Sequence, residues 1–244
     1  MKILTLDLST KTGWSVFENG KLTCYGQIKN DFKLNEDHPT YPGNYLDMAI
    51  AMSKDVLNKA ITSRPDLIVI EETNKGKNRY SQKQLEFIHC KVTGILLSNG
   101  FDVHYIDTSE WRSLLGISLD KEQRQDNKEI LNARKAEFHR IFVEVFDSYQ
   151  VNRQTELAGA KGKREQNKIN KRYEGLARTK TKERMRSFRF KEEGKVKGKV
   201  GTKQLSVNFV NETFSLKLKL KDNDIADAIC LGAAFIKKKG YYNL

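Results

Sequence analysis

Three short acidic stretches in this 244-residue sequence hold residue types that could do chemistry together: Asp7 in 2-KILTLDLS-9, Glu71 and Glu72 in 66-DLIVIEE-72, and Asp224 with Asp227 in 224-DIAD-227. A buried strand normally continues with aliphatic residues, so an Asp at its end is out of place. Taken alone, Asp7 could equally cap a turn through local hydrogen bonds. Glu71 and Glu72 end a second apolar run in the same way, and neighbouring strands of one sheet would bring such ends together. Asp224 and Asp227 are three apart and share one face near the start of a helix, where the helix dipole offsets part of their charge. Ala226, Ala228, Ala233 and Ala234 are small enough to let that helix lie close to a sheet. Carboxylates gathered in one place repel, and raise one another's proton affinity, unless cations sit between them. Two Mg or Mn ions held by such oxygens could activate water and stabilise the transition state of phosphodiester hydrolysis. Rival signatures, a GxxxxGK[ST] phosphate loop or a GxGxxG fingerprint, are absent, and the four His are scattered.

The elements that must position these groups can be read from periodicity. The run 2-KILTLDLS-9 predicts a strand, and 13-GWSVFENGKLTCYGQIK-29, with its Asn-Gly pair, predicts a hairpin. Helical spacing over 45–61 precedes the strand at 66–72, and a helix over 81–100, closed by Gly100, precedes a strand at 101–107. The order is β-β-β-α-β-α-β. Ile130, Leu131, Phe138, Ile141, Phe142, Val145 and Phe146 form one stripe of a long helix over 128–149. From about 160 to 203 no periodicity is read, and that stretch is expected to be mobile unless a partner orders it. Two helices then follow, over 203–214 and 223–239, the second ended by Gly240. The expected organisation is one α/β domain, 1–119 with 203–244, interrupted by an insertion at 120–202.

Composition narrows the partner. Residues 150–203 hold 18 Lys and Arg against 6 Glu, a net of +12 out of +13 for the whole chain. So localised a basic block suits a polyanion, although a solvated insert would carry the same charge. No apolar run reaches the 18 or so residues of a membrane span, and no secretory pattern opens the chain, so a soluble cytoplasmic protein is expected, associated with the nucleoid or with the host cytoplasm if viral. Cys24, Cys90 and Cys230 are odd in number and have no metal-ligand spacing, which fits a reducing compartment.

The segments 3-ILTLDLSTKTGWSVF-17, 68-IVIEET-73 and 222-DNDIADAICLG-232 resemble the three acidic motifs of RuvC-like Holliday junction resolvases, especially those of phages. The stretches 109-SEWRSLLGI-117 and 201-GTKQLSVNFV-210 resemble the connecting region of phage members. The resemblance implies an RNase H-like fold, a mixed five-stranded sheet flanked by helices. It also implies divalent-metal catalysis, a homodimer acting on a four-way DNA junction, and Asp7, Glu71, Asp224 and Asp227 as catalytic metal ligands. Strand alternation alone leaves Glu71 and Glu72 open; the resemblance favours Glu71, whose counterpart directly follows the apolar run. Candidate DNA contacts are Lys11, the loop residues Lys75, Lys77, Arg79 and Tyr80, and, in the basic segment, Lys163, Arg164, Lys171, Arg172, Arg184 and Arg186. Compact relatives lack the 120–202 insertion, which leaves its role open between gripping DNA arms, selecting another branched structure and binding a protein. An RNase H-type activity on RNA–DNA hybrid is the nearest alternative. Sugar-kinase or actin-like ATPases share a first hairpin like 5-TLDLSTKTG-13, but the chain is short for two such domains. A non-catalytic DNA-binding module would leave the carboxylates without a purpose.

Overall fold

A computed structural model describes residues 1–30, 40–73, 78–192 and 195–241. The chain forms two compact units, one of residues 1–118 and 201–244, the other of residues 119–200. The first contains a mixed five-stranded sheet. Strands β1 (Lys2–Asp7), β2 (Lys11–Glu18) and β3 (Lys21–Lys29) form an antiparallel meander, whose β2–β3 turn places Asn19 and Gly20 at positive φ, as the Asn-Gly pair requires. Strands β4 (Leu67–Glu71) and β5 (Val103–Ile106) run parallel to β1, giving the order β3-β2-β1-β4-β5. This is the RNase H-like arrangement.

Side-chain alternation divides the core into two layers. Leu4, Leu6, Ile68 and Ile70 point toward helices α1 (Gly43–Ser63) and α2 (Arg79–Ser98), where they meet Met48, Met52, Ile88, Val92 and Leu96. Ile3, Phe17, Leu67 and Val69 point the other way, toward α3 (Thr108–Leu115) and the two C-terminal helices. Because β1 pairs with β4 as Leu6 with Ile70, the next residues, Asp7 and Glu71, continue the second face side by side.

The other unit is mainly helical: α4 (Lys121–Asp147), α5 (Gln150–Ala158) and α6 (Lys163–Arg184), with a 3-10 turn at Met185–Ser187 and the two-stranded pair β6 (Lys191–Glu192) and β7 (Lys195–Val196). Asp120 starts α4 with a capping box to Gln123, seven residues before the expected start at 128, and the helix leaves Leu131 exposed. Asn127 donates to the Val200 carbonyl and accepts from its amide, both at 2.9 Å, tying the two ends of this unit together. The expectation of an aperiodic stretch from about 160 is wrong for 163–184. Ile169, Tyr173, Ala177 and Thr181, four residues apart, form a narrow buried stripe on α6. Only Ile169 of these four is a large aliphatic residue and Thr181 is polar, so a run rich in Lys and Arg hid the helical period. Ile141, Val145, Ala177 and Met185 make the small core, with Phe138, Phe142 and Phe146 partly buried around it.

The C-terminal helices α7 (Thr202–Phe214) and α8 (Asn223–Lys239) complete the first unit, and Gly240 closes α8 at φ 62°. No helix among the described residues is long and apolar enough to cross a membrane.

Candidate functional site

The site is made by how closely α8 lies on the sheet. A Cβ on Gly13 would stand 1.9 Å from the Asp224 carbonyl oxygen, and one on Gly232 would stand 2.4 Å from the Phe17 ring. A side chain at Gly13 would require the start of the helix to move, and one at Gly232 would require the Phe17 ring or the helix to move. The buried hydroxyls of Thr5 and Ser15 both donate to the Ala228 carbonyl, at 2.7 and 3.2 Å. Gly13 pairs with Asp7 across β1 and β2, so this contact sets the start of α8 against the end of β1.

Asp7 consequently faces Glu71, Asp227 and Asp224, with Lys203 of α7 as a positive neighbour. Burial and the three like charges hold its carboxyl well above the usual range. Asp227 is 5% exposed; burial raises it from 3.8 to about 6, while Ser206, Arg112 and Lys203 draw it down and Glu71 pushes it further up. Asp224 sits at the rim, accepting from Gln27 at 3.0 Å and from Asn223, with the Lys203 ammonium 3.7 Å away. Glu71 accepts from the Thr108 hydroxyl, whereas Glu72 is exposed. The face that carries Thr5 and Val69 therefore takes Glu71 and turns Glu72 away.

Among the described residues, no group of three or more His, Cys, Asp or Glu side chains is arranged as a ready metal cage. Glu71 instead accepts from Thr108, and Asp224 turns to Gln27, Asn223 and the Lys203 ammonium. The donor set nonetheless suits a hard divalent cation. It is all carboxylate oxygen, and Asp227 Oδ1 is buried without a hydrogen-bond partner. Lys203, Arg112, Thr108, Gln27 and Gly13 escaped sequence reading. Only Gly13 carried a signal, a glycine within a strand pattern, which marks close backbone approach.

The expected DNA contacts are dispersed. Lys11 is exposed at the start of β2, and Arg79 and Tyr80 are exposed at the start of the helix that follows Glu71, with Tyr80 75% accessible. Lys75 and Lys77 lie outside the described residues. Lys163, Arg164, Lys171 and Arg186 are exposed in the other unit, where Arg172 pairs with Glu156, and Arg184 with Glu144 at 2.6 Å.

No protein-family model matches the chain, and no curated protein does. Among solved structures, the chain is similar to RuvC of T. thermophilus in complex with a Holliday junction substrate, at 16% identity and TM-score 0.38 over 47% of this chain and 69% of that one. It is similar to the Thermus thermophilus RuvC structure at 17% and 0.39, over 54% and 81%. It is also similar to the yeast mitochondrial Holliday junction resolvase Ydc2 at 10% and 0.44, over 98% and 79%. Identity and TM-score are low in all three.

Proposed function

We propose that this chain is a metal-dependent endonuclease of branched DNA, a resolvase of four-way junctions, with Asp7, Glu71, Asp224 and Asp227 as its catalytic acids. One observation carries the reading: four carboxylates from β1, β4 and α8 crowd a single sheet end, and a buried oxygen of one of them has no partner. Such an arrangement costs stability in the protein by itself and repays it only with cations present. Mg or Mn, two ions per site, would supply Lewis-acid activation of the phosphodiester and of the attacking water.

The chain's own residues have distinct parts in this reading. Asp7 and Asp227 offer buried oxygens fixed by rigid elements, Glu71 approaches from the neighbouring strand, and Asp224 stands at the solvent side. Lys203 and Arg112 offset part of the acidic charge, which keeps the cluster tolerable before any cation binds. Lys11, Arg79 and Tyr80 are exposed and suited to phosphate contact and to stacking on a base. A homodimer would offer two such sites to opposite strands of a junction, in the cytoplasm where DNA is accessible.

The reading is tested by incubating the purified protein with labelled four-way junction, flap, linear duplex and RNA–DNA hybrid, in Mg and in Mn. Paired nicks placed symmetrically across the junction are expected. Preferential cutting of the hybrid would replace it with an RNase H activity, and cleavage of none of the four would refute it.

A further inference from the structure

Helix α6 carries nine basic and three acidic side chains, and they are not evenly distributed. Its buried stripe, from Ile169 to Thr181, faces the packing within its own unit, where α6 contacts α4 and α5. At 3.6 residues per turn, Arg164, Lys168, Lys171, Arg178 and Lys182 align in a row on the opposite side. All five are exposed. Glu165, Glu174 and Glu183 fall outside the row by the same geometry.

The row's charge is largely uncommitted. The acidic partners in this unit pair elsewhere: Glu137 and Glu144 with Arg140, Glu144 also with Arg184, Glu156 with Arg172, and Asp126 with Lys197. Among the described residues, Arg164, Lys168, Lys171 and Lys182 form no ion pair. Arg178 lies with its guanidinium carbon 5.5 Å from the Phe142 ring centroid, which holds it in place. Gly175 stands in the middle of the row, and a Cβ there would meet nothing within 4 Å. A glycine weakens a helix interior, and here it leaves the row lowest at its centre, where another backbone can come close.

We propose that this face of α6 tracks the phosphate backbone of a duplex DNA arm, without reading sequence; the assignment of DNA rests on the branched-DNA reading above. From Arg164 to Lys182 the row spans about 27 Å at 1.5 Å per residue, the length of about eight base pairs at 3.4 Å each. It contains no apolar anchor, which a protein partner would need for a stable interface. Evenly placed cations with no anchor match a polymer of phosphates.

The test uses the full chain carrying Asp7→Asn, so that binding is read without cutting, and a labelled linear duplex over a series of salt concentrations. One variant carries R164Q, K168Q, K171Q and K182Q. A comparator removes the same charge from exposed positions of α4, with R124Q, K128Q, R134Q and K135Q. Glutamine is a good helix former, and circular dichroism checks that helicity is kept. Each phosphate contact contributes about 0.9 to the slope of log affinity against log salt. The row variant is expected to lose about 3 to 4 from that slope, the milder K168Q/K182Q pair about half as much, and the comparator less than about 1. Equal losses in row and comparator would reduce the effect to net charge and overturn the proposal. No loss in the row variant would also overturn it. These outcomes hold whether or not the wild-type protein cuts a junction, so failure of cleavage would refute the functional reading alone.

Discussion

Asp227 shows most simply what the site costs. Its carboxyl is raised from 3.8 to about 6, so the native chain holds this proton more tightly than the unfolded chain does. The resulting stability is fully present below pH 3.8 and is lost as pH rises through about 6. At neutral pH the buried charge costs at most about 3 kcal/mol, at about 1.4 kcal/mol per unit. Asp7 acts in the same direction. His89 acts in the opposite one: burial lowers it from 6.5 to about 4, so its contribution is present above pH 6.5 and is lost as pH falls toward 4. The two effects oppose each other in one window, and only single variants separate them. Asp227→Asn is expected to raise the thermal midpoint of the metal-free protein at pH 7 and to flatten its decline between pH 4 and 6. A variant with an unchanged midpoint and profile would contradict this account of the buried carboxylate.

At the level of elements, the contact between Gly13 and α8 decides whether the carboxylates meet. Gly13→Ala places a methyl group against the Asp224 backbone, and relief requires the start of α8 to move away from β2. Overpacking of this kind costs about 1 to 3 kcal/mol, and it displaces Asp224 and Asp227 as well. Urea unfolding should show the loss, and cleavage should fall by more than the loss of folded protein explains; full activity in a stable variant would refute the argument. The main elements of the α/β unit were legible because each obeys one clear period, as the aliphatic run of β4 and the apolar stripe of α2 do. Glu71 against Glu72 was not legible, because alternation assigns a face only after Thr5 and Val69 are known to point toward α8. Helix α6 was hidden for a different reason: although it runs 22 residues, its buried stripe is one residue wide, and Tyr, Ala and Thr stand beside a single Ile among many cations.

For the whole molecule, a single cluster of carboxylates can make one nick, whereas resolving a junction takes two on opposite strands. Two copies of this chain are therefore expected on each junction. Light scattering of the free protein and of its junction complex should give the mass of a dimer, and a monomer in both would argue against symmetric nicking. The central claim, that these four carboxylates perform the cleavage, is tested most directly by one comparison: the rate at which wild type and Asp7→Asn cut a labelled four-way junction in Mn, with junction binding measured alongside. Asp7→Asn is expected to bind the junction but to lose cleavage by about 10³-fold or more, as when a group needed in the transition state is removed. A variant that cuts at the wild-type rate would place the chemistry elsewhere.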